Sequence, residues 1–147
     1  MDIRPIPRDD LQRLLALFGH LHSDDALPDP SVVKATWQEL MSNPRYLHVG
    51  GYVGEELVSS CVLVVVPNHT RGCRPYGLIE NVVTHAAYRN LGYGKAVLTH
   101  ALSHAWSVGC YKVMLLTGRK SEAIFGFYES AGFDRHEKQA FIAKPAA

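Results

Sequence analysis

The six residues Arg89-Asn90-Leu91-Gly92-Tyr93-Gly94 carry the sharpest local chemistry in this chain of 147 residues. Two glycines ahead of a long amphipathic stretch let the backbone turn with successive N–H groups pointing outward. The helix start that follows adds partial positive charge, and the combination suits a phosphate or pyrophosphate. It is not a Walker loop, because position 89 is Arg rather than Gly and Lys95 is followed by Ala96. Nor is it a dinucleotide fingerprint, since the third glycine and an opening βαβ unit are missing. Plain helix capping is the alternative use of such a turn. Upstream, Glu80 lies in an apolar stretch between Ile79 and Val82, where a carboxylate costs free energy unless it is paired or used. That makes it a base candidate, with an ion pair to an arginine of a neighbouring strand as the alternative. A carboxylate with an ordinary pKa of about 4.3 is a weak base toward an ammonium, so it is expected to take the proton through a water.

The elements that must position these residues follow from periodicity. Asp9 and Gln12 form a capping-box pattern opening a helix with Leu11, Leu14, Leu15, Phe18 and Leu21 on one face. A polar, proline-broken loop follows, and Asp29 with Pro30 then opens a second helix, with Val33, Trp37, Leu40 and Met41 inward. From Tyr46 the period becomes that of strands. Residues 46–53 and 57–66 flank Gly54-Glu55-Glu56 as a hairpin, and 78–84 is a third β-rich segment after a long loop. Residues 92–108 read as a helix with Val97, Leu98, Ala101, Leu102, Ala105 and Trp106 inward and Gly109 as its stop. A buried strand over 111–116, a short helix over 122–131 and a final strand over 133–143 complete the order. No internal repeat, linker or low-complexity tract interrupts residues 1–147, which read as one α/β domain.

Composition narrows the function classes. With 15 Lys+Arg against 14 Asp+Glu the net charge is +1, so no long-range field recruits nucleic acid or an acidic membrane. Cys61, Cys73 and Cys110 are odd in number and contain no CxxC pair, which argues against a disulfide framework or a zinc ribbon and for a reducing, cytoplasmic setting. The N-terminus has no apolar leader, and the longest apolar run, from Cys61 to Pro67, is far short of the roughly 20 residues of a membrane helix. His100 and His104 have i,i+4 spacing but no accompanying Glu motif, and read as a solvated face rather than a metal pair.

In this order of elements, Arg89 to Gly94 resembles the Arg/Gln-x-x-Gly-x-Gly/Ala loop that holds the pyrophosphate of coenzyme A in the GNAT family of N-acetyltransferases. Residues Ile79-Glu80-Asn81-Val82-Val83-Thr84 resemble that family's fourth strand, and Phe127-Tyr128-Glu129-Ser130-Ala131-Gly132-Phe133 its Tyr-Glu-x-x-Gly-Phe segment. The resemblance spans essentially the whole chain. It implies a mixed, mostly antiparallel sheet with helices on both faces, in the order β-α-α-β-β-β-α-β-α-β, and acetyl-CoA as donor.

The same resemblance assigns candidate roles. Arg89, Asn90, Leu91, Gly92, Tyr93 and Gly94 would bind the cofactor's pyrophosphate. Val82, Val83 and Thr84 would pair with pantetheine, and an N–H there could polarise the thioester carbonyl. Tyr128 matches the tyrosine proposed to protonate the thiolate, a sensible match of a phenol near pKa 10 to a thiol near 8.5; core packing with Phe125 and Phe133 is its alternative. Asn81 would shape a bulge or bind substrate. Where many members carry a cofactor-contacting Asn before this helix, the chain has Lys120-Ser121.

The acceptor is expected to be the primary amine of a small molecule, attacked directly in a ternary complex. Arg71-Gly72-Cys73, Gly77-Leu78-Ile79-Glu80 and Gly109-Cys110-Tyr111-Lys112 resemble glucosamine-6-phosphate N-acetyltransferases, although those enzymes carry an acidic pair at Glu80-Asn81. A phosphorylated acceptor would need at least two of the cations Arg71, Arg74, Lys112 and Arg119 to converge near Glu80. An unphosphorylated one would use Asp24 and Asp25, in the loop where the family builds its acceptor wall. A homodimer is expected, since closed two-fold symmetry is the default for small oligomers. The competing class is a non-catalytic module that binds acetyl-CoA.

Overall fold

Strands β1 (Asp2–Pro5), β2 (Tyr46–Val53), β3 (Glu56–Val66), β4 (Tyr76–Thr84) and β5 (Val113–Leu115) lie in that spatial order in one sheet. The first four pair antiparallel and β4 pairs parallel with β5. The computed structural model describes all 147 residues, in two compact units, Met1–Leu115 and Leu116–Ala147. No helix is long and apolar enough to cross a membrane.

Helices cover both faces of the sheet in the first unit. On one side, α1 (Leu11–Phe18) and α2 (Pro30–Ser42) bury Leu14, Leu17 and Trp37 with Ile6, Tyr52, Leu57 and Val83. Helix α2 starts as its sequence requires, with the Asp29 carboxylate accepting from the Ser31 amide at 2.8 Å and Pro30 in the first turn. On the other side α4 (Tyr93–Ser107) packs through Val97, Leu98, Ala101 and Ala105, all without exposure. Between β3 and β4 the chain makes one helical turn, α3 (Thr70–Cys73), wound left-handed through Arg71, Gly72 and Cys73, each at positive φ.

Several expectations need correction. Asp9 does not cap α1. The N-cap is Asp10, after a 3₁₀ turn over Arg8–Asp10, and its carboxylate turns inward to accept from the buried Tyr52 hydroxyl at 2.8 Å and to pair with Arg13. Trp106 is half exposed, because Leu98, Ala101 and Ala105 already fill the inward stripe of α4. Strand β5 is shorter than expected and only half-buried.

The second unit contains α5 (Glu122–Ser130), with Ser121 as its side-chain cap. Its end is a Schellman stop. Gly132 takes φ +100, its N–H donates to Glu129 O, and the Phe133 N–H donates to Tyr128 O. The expected final strand does not form. Arg135 turns back to pair with Glu122 and Glu129, and the apolar pair Phe141-Ile142, adjacent rather than alternating, stands 88% and 70% exposed.

Candidate active site

The opening in the first unit is made by one residue of β4. Glu80 pairs with Val62 and Val83 with Ser60, so Asn81 and Val82 together stand opposite the single residue Cys61. Asn81 takes φ +52, the left-handed conformation that Asn tolerates better than most side chains. This β-bulge bends the strand where its other edge loses its partner, because the pairing of β4 with β5 ends at Ile79 and Leu115. From Glu80 to Thr84, β4 therefore offers an edge with no strand beside it. Ser59 fixes this stretch from behind: its hydroxyl donates to the Val83 carbonyl at 3.0 Å and shares a 2.8 Å bond with Thr84 Oγ1. That buried serine had no signal in the sequence.

The pairing also sorts the side chains by face. Val83 belongs to the core under α1 and α2. Glu80, three residues earlier across the bulge, points to the same side, as do Tyr76 and Leu78. Glu80 is exposed rather than held in an apolar environment, and it forms no ion pair. The sequence argument for a buried base therefore fails; a solvated carboxylate beside the bulge is what the chain provides. Asn81 is exposed at the same point, and Val82 and Thr84 are half-buried.

At the far end of β4 the chain turns toward α4 through a 3₁₀ turn over Ala86–Tyr88. Asn90 at φ +62 and Gly92 at φ +88 then reverse the backbone into the helix. No side chain caps α4, and the first amide to bond back is that of Ala96, which donates to Gly92 O at 3.0 Å. The amides of Tyr93, Gly94 and Lys95 are thus the unpaired donors of a 15-residue helix, with the positive end of its dipole behind them. A Cβ built at Gly92 meets nothing within 4 Å, so the turn is open on that side. The Arg89 side chain is turned the other way, with Nε donating to Thr84 O and Nη2 to His20 O. The turn presents its amides to an anion, then, and not that guanidinium. Leu91 is exposed, and the Tyr93 ring packs edge-on against Tyr88.

Of the four cations named for a phosphorylated acceptor, two come together. The Arg71 guanidinium lies 6.0 Å from the centre of the Tyr111 ring, and Lys112 Nζ lies 5.4 Å from Tyr111 and 5.5 Å from Tyr76. Arg74 is committed to the Gly109 and Cys110 carbonyls. Arg119 belongs to the second unit. The pair gathers at the Tyr76 end of β4, four residues from Glu80, about 13 Å along the strand, and not around the carboxylate itself. Asp24 and Asp25 are exposed on the loop between α1 and α2.

Tyr128 lies on α5, and its ring contacts Phe127 at 4.9 Å and Phe133 at 6.3 Å. The Phe133 contact is the hydrophobic pair of the Schellman stop. Glu129 is tied to Arg135, which holds its carboxyl below the ordinary range.

Comparison with known proteins identifies the family. The acetyltransferase (GNAT) family profile matches residues 10–133. The chain belongs to this family. A glucosamine 6-phosphate N-acetyltransferase of Trypanosoma brucei brucei is 34% identical over 147 residues, covering 95% of this chain and 92% of the relative. A putative acetyltransferase from Agrobacterium tumefaciens superposes with TM-score 0.91 at 37% identity, covering 98% of this chain and all of the other. The solved glucosamine-6-phosphate N-acetyltransferase of Arabidopsis thaliana, 24% identical and covering 98% of this chain and 97% of that one, shares the fold with TM-score 0.81. The protein is an N-acetyltransferase, and the family to which it belongs uses acetyl-CoA.

Proposed function

We propose that this acetyltransferase moves the acetyl group of acetyl-CoA directly to the primary amine of a small phosphorylated amino sugar, with glucosamine 6-phosphate as the first candidate. The observation that carries the donor half is the continuity of one surface in the first unit. The β4 edge from Glu80 to Thr84, beside which no strand pairs, runs into a turn that ends in free helix amides. The edge suits an extended arm with amide groups, and the amides suit a pyrophosphate. When bound, acetyl-CoA supplies the activated acyl group as a thioester.

The chain's own residues then have the following work. Amides of Asn90 to Gly94 hold the phosphates, and backbone groups of Val82, Val83 and Thr84 hold the arm and direct an N–H at the acyl oxygen. Glu80, solvated beside the bulge, receives the ammonium proton through water. The family resemblance makes Tyr128 the candidate proton donor to the departing sulfur. Arg71 and Lys112, 6.0 Å and 5.4 Å from the centre of the Tyr111 ring, are the cations offered to the acceptor phosphate, which then lies toward the Tyr76 end of β4 and not beside Glu80. The positive φ values at Arg71 and Cys73 support this use: strain sustained in an exposed turn is a mark of functional sites. The curated relative from Trypanosoma brucei brucei acts on this acceptor by its name. We place the enzyme in the cytoplasm as a homodimer, which sedimentation analysis would test.

A second reading is favoured by one observation, the two unpaired carboxylates Asp24 and Asp25 on the α1–α2 loop, which would draw a cationic, unphosphorylated amine to the same donor. Steady-state turnover with glucosamine 6-phosphate, glucosamine, polyamines and aminoglycosides decides between them. Saturable acetylation of glucosamine 6-phosphate, with KM raised by Arg71→Ala and Lys112→Ala, is the expected result. Turnover of a polyamine or aminoglycoside with none of glucosamine 6-phosphate would establish the second reading.

A further inference from the structure

The turn that leads into the phosphate-binding amides is held by two histidines that the proposed chemistry does not use. The rings of His20, in the turn after α1, and His85, just after β4, lie with centroids 4.0 Å apart. Each spends a ring nitrogen on the same 3₁₀ turn. His20 Nδ1 accepts from the Ala86 amide at 3.3 Å, and His85 Nδ1 accepts from the Ala87 amide at 3.1 Å. The far end of the turn returns to the same place, because Arg89 donates to the His20 carbonyl at 3.2 Å and to the Thr84 carbonyl. Residues 84–89 are thereby closed into a loop clasped to the end of α1. The next three residues are the reversal that exposes the α4 amides.

We infer that His20 and His85 are positioning residues for the cofactor, a neutral imidazole clasp that sets the angle at which the Asn90–Gly94 turn meets a phosphate. The role rests on the donor assignment made above.

The chemistry sets a condition on the clasp. An imidazole accepts at Nδ1 only while that nitrogen is unprotonated, and an imidazolium accepts nothing. Neither ring is in an ion pair with a carboxylate. The charged and titratable groups around them are Arg89, the Tyr88 ring against His85, and beyond it Tyr93 of α4 and Glu56 of β3, whose carboxylate accepts from the Tyr88 hydroxyl. Burial, the neighbouring His85 and Arg89 all disfavour charge on His20 and lower its pKa from the ordinary 6.5. The His20 half of the clasp is therefore unprotonated and closed at neutral pH.

The test is calorimetric titration of the full-length protein with acetyl-CoA, which needs no acceptor, at pH 7.5. Loss of a side-chain cap of this kind is worth roughly fivefold to tenfold in an equilibrium, so His20→Ala and His85→Ala are each expected to raise Kd by about that factor at pH 7.5. His85→Asn, whose amide oxygen accepts as the imidazole does but does not titrate, should restore wild-type affinity. Because the phosphates of acetyl-CoA titrate equally for every variant, the ratio of the alanine variants' Kd to wild type isolates the clasp. A ratio of one at pH 7.5, or failure of His85→Asn to rescue a folded His85→Ala protein, would overturn the role while leaving the donor assignment standing. Failure of the wild-type protein to bind acetyl-CoA at pH 7.5 would overturn both.

Discussion

Replacing Gly92 by alanine separates two uses of one backbone position. The residue sits at φ +88 as the N-cap of α4, and a Cβ there would touch nothing within 4 Å. The folded protein therefore suffers no packing clash from Gly92→Ala, only the left-handed backbone, which costs an alanine about 1–2 kcal/mol. For a chain of this size that corresponds to a fall in Tm of roughly 2–8 °C. Binding should suffer more. A methyl group at the mouth of the turn holds a phosphate away from the amides, and losing one hydrogen bond to a charged group costs about 1.5–3 kcal/mol, or roughly ten- to hundredfold in Kd. Gly54→Ala is the matched control, for Gly54 lies at φ +57 in the β2–β3 turn with the same empty surroundings. Thermal denaturation and acetyl-CoA titration of both variants should show similar losses of Tm and a loss of affinity in Gly92→Ala alone. Equal Tm losses with wild-type affinity in both would refute the placement of the cofactor's phosphates on this turn.

Three further outcomes are expected. Tyr128→Phe should lower kcat about 10²-fold with little change in acetyl-CoA affinity, since a proton donor acts only as the thiolate forms; unchanged kcat with chemistry rate-limiting would return the ring to core packing. Tyr52→Phe removes the buried donor to Asp10 and should cost roughly 1.5–3 kcal/mol in chemical denaturation, whereas a loss under 0.5 kcal/mol would show that Arg13 alone satisfies the carboxylate. His48 is only 8% exposed, packs against Trp37, and its Nδ1 has no partner, so burial lowers its pKa from the ordinary 6.5. The unfolded chain then binds the proton more readily, so His48's contribution is full above pH 6.5 and is lost as pH falls from there through the lowered folded value. His48→Phe should flatten that acid limb, and an unchanged limb would assign it to other groups.

Much of this architecture was legible because its causes are local. Asp29 and Pro30 announce α2, Gly54 announces the β2–β3 turn, and the spacing of Val97, Leu98, Ala101 and Ala105 fixes the buried face of α4. The reversal at Asn90 and Gly92 was legible for the same reason: glycine spacing before an amphipathic stretch is a backbone property. The environment of Glu80 was not. An apolar run of residues implies burial only where another layer covers the face its side chains point to, and what covers Glu80's face of β4 is decided by elements distant in the sequence. Likewise Asp9 and Asp10 are equivalent as caps until Tyr52 chooses between them. The clasp of His20 and His85 joins residues 65 positions apart, and neither has a spacing that marks it. The final strand failed for want of alternation, a weakness visible in Phe141-Ile142 but outweighed by the expected order of elements.

The bulge at Asn81 has a consequence for chain length. Removing that residue would leave Glu80 opposite Val62, put Val82 opposite Cys61 and keep Val83 opposite Ser60, so no side chain would exchange sides. The strand would simply straighten. Deletion at almost any other point in β4 would turn the rest of the strand inside out, sending core residues to the wrong layer. The opening in the sheet is thus a removable feature laid over an ordinary antiparallel ladder, and a single codon separates the two.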